Sequence, residues 1–289
     1  MNTQQPRVWF ITGASSGLGK ALSEAVIARG DRAILTARRL DRLRAIAAGH
    51  EDHVLPLALD VNDADGRARA VADAIERFGR IDVLANVAGR GVVGACEEFS
   101  LEQLREQMEL NFFAAAEMSR AVLPQMRKQG AGHILTVSSI AGLVAMNAAG
   151  PYCAAKFAIE GWTEALAIEA KPLGIRVTLV EPGAFRTEFA GDANMRPAHR
   201  IDAYRPVVEP FETYLESSSG QQMGDPAKAA QRMLDVVASN DPPVRLMLGA
   251  DAYSIWETTL ANRQADLARW RERGIDTAFE GAATVQIQL

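Results

Sequence analysis

Seven short apolar runs rich in β-branched residues recur along the chain: "VWFIT" (8–12), "AILTA" (33–37), "VLPLAL" (54–59), "DVLAN" (82–86), "HILTVS" (133–138), "RVTLVE" (176–181) and "VRLML" (244–248). Between them apolar positions fall at helical period, for example over 63–78, 100–128 and 152–171. Ser100 with Gln103 has the spacing of a capping box at the start of one such helix. Strands apolar on both faces, each followed by a helix, predict an α/β chain. Its architecture is a doubly wound, seven-stranded parallel sheet with right-handed crossovers and helices on both faces.

Two segments break the rhythm. Residues 185–224 lack a clear period and are rich in Pro, Gly and Ser, so they are expected to be irregular and to form a substrate lid. Asp225 and Pro226 then read as N-cap and first residue of a helix. After the last strand, "DAYSIWETTLANRQADLARWRERG" (251–274) predicts a C-terminal helix whose stripe of Ile255, Trp256, Leu260, Leu267 and Trp270 packs on the body. The expected organisation is one domain over 1–250 with 251–289 as an extension packed upon it.

A hydrophobic content of 48% over 289 residues is enough for a sizeable single core. The net charge of -5 gives no basic footprint for nucleic acid or for an anionic membrane. Cys96 and Cys153 are the only cysteines, and the four histidines form no ligand-spaced cluster with them, so a reduced, metal-free protein is expected. The N-terminus lacks a signal-like pattern and no run reaches the roughly 18 apolar residues of a membrane span, which makes the expected location cytoplasmic.

Three stretches carry chemistry. "TGASSGLG" (12–19) follows the first strand and opens a helix, putting Gly13, Gly17 and Gly19 where a backbone turns tightly against a ligand. The N–H groups of that helix start would face a pyrophosphate. In "YCAAK" (152–156), Tyr152 and Lys156 share a helix face with Cβ atoms about 5–6 Å apart, so the ammonium is expected to lower the phenol pKa. Upstream, "HILTVSSIAG" ends a strand with Ser138 and Ser139, where an open sheet exposes side chains to its ligand crevice.

Taken with Asp60-Val61, "NVAG" (86–89), Asn111 and "PGAFRT" (182–187), these stretches stand in the order and spacing of the short-chain dehydrogenase/reductase family, which residues 7–250 resemble. The resemblance implies a Rossmann-type domain. It makes Tyr152 the catalytic acid/base, with Lys156 tuning it and holding the nicotinamide ribose, Ser139 positioning the reacting oxygen and Asn111 anchoring a proton relay. It places the cofactor against Gly13, Ser15, Ser16, Gly17, Leu18 and Gly19, with Asp60 and Val61 at the adenine. Asn86, Ala88 and Gly89 would line it, and Pro182, Gly183, Phe185 and Thr187 would wrap the nicotinamide. Val87 departs from the family's usual second asparagine, which braces the central sheet.

The expected activity is interconversion of a carbonyl and an alcohol by hydride transfer; the alternative is a non-catalytic nicotinamide-binding sensor or scaffold of the same fold. At the end of the second strand, where an acid would select NAD, the chain has Ala37 followed by Arg38 and Arg39, which points to NADP(H) over NAD(H), with Ser15 adding a hydroxyl. Phe185, Phe189, Met195, Tyr204, Phe211, Tyr214 and Met223 in the lid favour an apolar or aromatic small-molecule substrate. By resemblance a homodimer is expected through 100–128 and 152–171.

Overall fold

The computed structural model describes residues 5–190 and 194–281. Seven parallel strands form one sheet in the order β3-β2-β1-β4-β5-β6-β7. They are β1 (Val8–Thr12), β2 (Arg32–Ala37), β3 (Val54–Ala58), β4 (Val83–Asn86), β5 (Gly132–Val137), β6 (Ile175–Pro182) and β7 (Arg245–Leu248). Each apolar run of the sequence supplies one strand. Pro56 sits within β3, which a proline tolerates because that strand is an edge.

Both faces are covered. Trp9 and Ile11 of β1 pack with α1 (Gly17–Ala28), α2 (Leu40–Ala47) and α8 (Pro226–Ala238), whereas Val8 and Phe10 face α3 (Ala64–Phe78), α5 (Ala114–Gln129) and α6 (Gly150–Ala170). This alternation within a fully buried strand is the period-2 pattern of a two-faced core. The strand order reverses between β1 and β4, and the crevice beyond their carboxyl ends is where such sheets take ligands.

Three expectations need correction. The helix expected over 100–128 is two: α4 (Leu101–Met108) and α5 are joined by a π turn, Glu109–Phe113. Asn111 in that turn is 2% exposed and its amide donates to Arg90 O at 2.9 Å, so the wider turn delivers a polar side chain inward. The 185–224 segment is not irregular throughout, since α7 spans Arg205–Ser218. Its two prolines hid it: Pro206 lies in the first turn, where no N–H is needed, and Pro210 lies inside at the cost of one hydrogen bond.

The third concerns α9 (Ala250–Ile275), which packs on the body only at its start. Ala252 is its single buried residue, and Leu260, Leu267 and Trp270 are 41%, 71% and 55% exposed. Arg263 still ties the helix to the Leu143 carbonyl at 2.7 Å, but beyond it every described residue is exposed.

His133 on β5 is buried beside Thr178, whose hydroxyl donates to Pro243 O at 2.7 Å and so accepts from Nε2 of the ring at 3.0 Å. Burial, reinforced by Arg176 and Arg7, pushes its pKa from 6.5 down to about 3. The unfolded chain therefore takes up this proton first as the solution is acidified. The contribution to stability is complete above pH 6.5 and is lost progressively toward pH 3, at up to about 1.4 kcal/mol per pH unit. In urea titrations from pH 7 to 4, His133→Gln is expected to lose less stability than the wild type, and parallel curves would contradict this.

Candidate active site

The crevice is floored by the turn after β1. Gly13 has φ +67, and a Cβ there would lie 2.8 Å from the Ala88 backbone. The two loops beyond β1 and β4 therefore touch at a position only glycine fits. A Cβ on Gly19 would meet Gly13 O at 2.2 Å, which closes α1 onto the same turn. α1 begins without a side-chain cap at Ser16 and without an acid in its first turn, so its N–H groups and positive dipole end remain available to an anion. These features fit a dinucleotide pyrophosphate between Ser15, Ser16, Gly17 and Leu18.

Thr12 braces the loop after β4. Its Oγ1 accepts from Val87 N at 3.0 Å and Ala88 N at 3.2 Å. The Asn86 amide, expected to line the cofactor, instead turns toward α5, donating to Ala115 O at 3.2 Å and Ser119 Oγ at 3.0 Å.

The opposite rim is the turn after β6. Pro182 ends the strand, Gly183 N donates to Leu248 O at 2.8 Å, and Ala184 N donates to Asp251 Oδ2 at 2.7 Å. Thr187 closes on the glycine turn, its Cβ 3.5 Å from where a Cβ on Gly17 would be. Phe185 packs on the α1 and α8 side of the core. Asp251 escaped sequence reading because it looks like an ordinary acid in the first turn of a helix, yet it holds this rim.

At the other end of the crevice Ala37 is buried, while Arg38 and Arg39 are exposed just before α2. Arg39 Nη2 reaches Ser15 Oγ at 3.5 Å, which places that arginine beside the glycine turn. Asp60 Oδ1 accepts from Asn62 N at 3.0 Å and so shapes the loop after β3. Val61 is buried, and its carbonyl is taken by Arg67 at 2.6 Å.

Tyr152, Lys156 and Ser139 converge above the turn. Lys156 is 4% exposed; its Nζ donates to Val137 O at 2.8 Å and lies 5.6 Å from the centre of the Tyr152 ring. Ser139 begins a 3₁₀ turn, its Oγ accepting from Ala141 N at 3.0 Å. Burial pushes the Tyr152 phenol above its ordinary value, and a hydrogen bond from Ser139 pulls it partly back. The depression by Lys156 expected from the spacing is not seen in the free protein. Burial instead brings the lysine down to about 8, opposed by Glu160. Asn111 reaches the same corner: a Cβ on Gly89 would lie 2.7 Å from Asn111 Oδ1 and 3.8 Å from Lys156 Nζ.

The wall beside the phenol is apolar. Val92, Phe99 and Met195 form a buried cluster against Leu104 and Tyr152, and the Phe189 ring lies 5.8 Å from that of Tyr152. Met195 is tied in by main-chain bonds, Val93 N to its carbonyl at 2.9 Å and its own N to Gly91 O at 3.0 Å. Tyr204 and Phe211 pack on Ala95, Ala148 and Val208 farther out, while Tyr214 and Met223 point to solvent. Among the described residues no group of His, Cys, Asp and Glu is placed to hold a metal, and no helix is long and apolar enough to cross a membrane.

Known proteins resemble this chain in sequence and in fold. A family model described as short chain dehydrogenase matches residues 7–197. A 3-ketodihydrosphingosine reductase of Bacteroides thetaiotaomicron is 35% identical over 247 residues, 85% of this chain and 88% of that protein. A solved short-chain dehydrogenase from Streptomyces avermitilis is 39% identical with a TM-score of 0.88, covering 96% of this chain and 100% of its own. Another, from Burkholderia cenocepacia and in complex with NADP, is 27% identical with a TM-score of 0.71, covering 91% and 97%. With the family's model matched to about two thirds of the length and a structural counterpart covering 96% of the chain, this chain is an oxidoreductase of the short-chain dehydrogenase family.

Proposed function

We propose that the protein interconverts a carbonyl compound and its alcohol with NADP(H) as the redox partner. The observation that carries this reading is the convergence of Tyr152, Ser139 and Lys156 at the mouth of the glycine-floored crevice. A non-catalytic sensor needs the crevice but not a hydroxyl, a phenol and a buried ammonium together.

A bound nicotinamide supplies or accepts the hydride. Around it, Ser139 orients the substrate oxygen by a hydrogen bond, and Tyr152 gives that oxygen its proton in reduction or removes it in oxidation. Lys156 holds the ribose hydroxyls and, as a cation, favours the phenolate. Asn111 fixes the 89–91 loop beside the lysine through Arg90 N at 3.2 Å and Arg90 O at 2.9 Å. Asp251 holds the nicotinamide rim, and Val92, Phe99, Met195 and Phe189 present an apolar surface to the substrate. Arg38, Arg39 and Ser15 favour the 2′-phosphate of NADP, and the relative named as a keto reductase supports an extended apolar ketone.

The reading is tested with ketones, aldehydes and secondary alcohols of increasing apolar length, steroids, retinoids and long-chain keto compounds included, scored by nicotinamide absorbance. Turnover that rises with apolar length is expected. Cofactor binding with no turnover across the panel would favour the sensor.

A homodimer working in the cytoplasm completes the proposal. Phe113, Phe157 and Ile168 are 47%, 41% and 76% exposed on the helices around the site, apolar area that a second copy would cover. Sedimentation at micromolar concentration is expected to give twice the chain mass, and a strictly monomeric profile would contradict it.

A further inference from the structure

Beneath α6 the chain buries an ion cluster unrelated to the crevice itself. Arg245 on β7 pairs with Glu160 and Glu164 of α6 and with Glu181 of β6. Glu160 and Glu181 are 4% and 1% exposed. Glu160 stands one turn beyond Lys156 on the same helix, in the i, i+4 relation that puts both on one face. Its Oε2 meets Arg245, but its Oε1 is buried without a partner and lies 3.0 Å from the Cβ position of Gly142, which Ser138 Oγ approaches at 2.7 Å. A side chain on residue 142 would fill that corner, so the glycine makes room for the carboxylate.

Three carboxylates converge on one guanidinium, more negative charge than it can neutralise. Buried charge without compensation is costly, and Lys156, one turn away on the same helix, donates to a backbone carbonyl rather than to a carboxylate. Burial and the proximity of Glu160 push Glu181 up to about 7, which leaves it largely neutral in mildly acidic solution.

We propose that Glu160 is the counter-ion of Lys156, a positioning residue that acts through space to keep the lysine charged inside a closed part of the fold. The inference rests on the reading of Lys156 as the cation of a dehydrogenase site. Beside the lysine stand Tyr152 and Glu160 on its own helix and neutral Asn111 on the π turn, and beyond Glu160 come Glu164 on the same helix, neutral Ser138 after β5, Glu181 on β6 and Arg245 on β7. Of the carboxylates, Glu164 is half exposed and Glu181 lies on β6 against Arg245, which leaves Glu160 as the buried carboxylate on the lysine's own helix face.

The test follows the five lysines directly by NMR of protein labelled with ¹³Cε-lysine, the Lys156 signal being assigned from Lys156→Met. In the wild type Lys156 is expected to titrate near about 8. Glu160→Gln is expected to lower that midpoint by about one pH unit or more, while Glu164→Gln, which loses a more exposed partner of the same arginine, leaves it in place. Equal midpoints in wild type and Glu160→Gln, or equal shifts in the two variants, would overturn the proposal. Should Glu160→Gln fail to fold, the reciprocal measurement decides: in ¹³Cδ-glutamate-labelled Lys156→Met, Glu160 should titrate at higher pH than in the wild type, and an unchanged midpoint would overturn it. Neither measurement needs a substrate, so absence of turnover would sink the enzymatic reading while leaving the charge coupling to stand or fall by itself.

Discussion

Tyr152→Phe is expected to lower turnover by on the order of 10²- to 10⁴-fold while leaving cofactor affinity nearly unchanged. In the proposed reaction the phenol exchanges a proton with the substrate oxygen, and Phe keeps the ring that packs on Val92, Phe99 and Met195. Its face toward Phe189, with centroids 5.8 Å apart, is also retained, so the loss reports chemistry rather than folding. The measurement is kcat and cofactor Kd for both proteins with whichever carbonyl compound turns over fastest. Retention of near-native turnover would remove Tyr152 from the mechanism. Burial holds the phenol above its ordinary value in the free protein, so on the proposed mechanism the lowering by Lys156, 5.6 Å from the ring centre, would come into play only with cofactor bound.

The second large effect concerns the cofactor. Replacing Ala37 by Asp together with Arg38→Ala is expected to weaken NADPH by roughly 10- to 150-fold and to spare NADH, because a hydrogen bond to a charged group contributes about 1.5–3 kcal/mol. Ala37 closes β2 with its side chain buried, and the two arginines follow at the start of α2. Such charges at a helix N-terminus oppose its dipole, which Asp41 in the first turn offsets. A carboxylate at 37 would accept the ribose hydroxyls and repel a 2′-phosphate. Arg39 remains in the variant, leaning on Ser15, so residual NADPH binding measures its share. Equal or better kcat/KM with NADH in the unmodified protein would refute the preference.

The strands, their parallel arrangement and the crevice were legible in the sequence, because apolar runs buried on both faces leave a local trace that does not depend on distant residues. The glycine turn and the i, i+4 spacing of Tyr152 and Lys156 were legible for the same reason: both are short-range geometry. What the tertiary structure alone decided arises from groups far apart in the chain. Thr12 holds the backbone N–H groups of Val87 and Ala88 because β1 and β4 are neighbours, and Asp251 holds the rim at Ala184 from 67 residues away. A wide turn at Asn111, a helix running through two prolines and a C-terminal helix left bare along most of its length each followed from packing or its absence, which periodicity cannot register. The ionic state of the site is tertiary as well. Spacing put an ammonium near a phenol, but burial, set by everything folded around the pair, moves the pKa of each against its charged form.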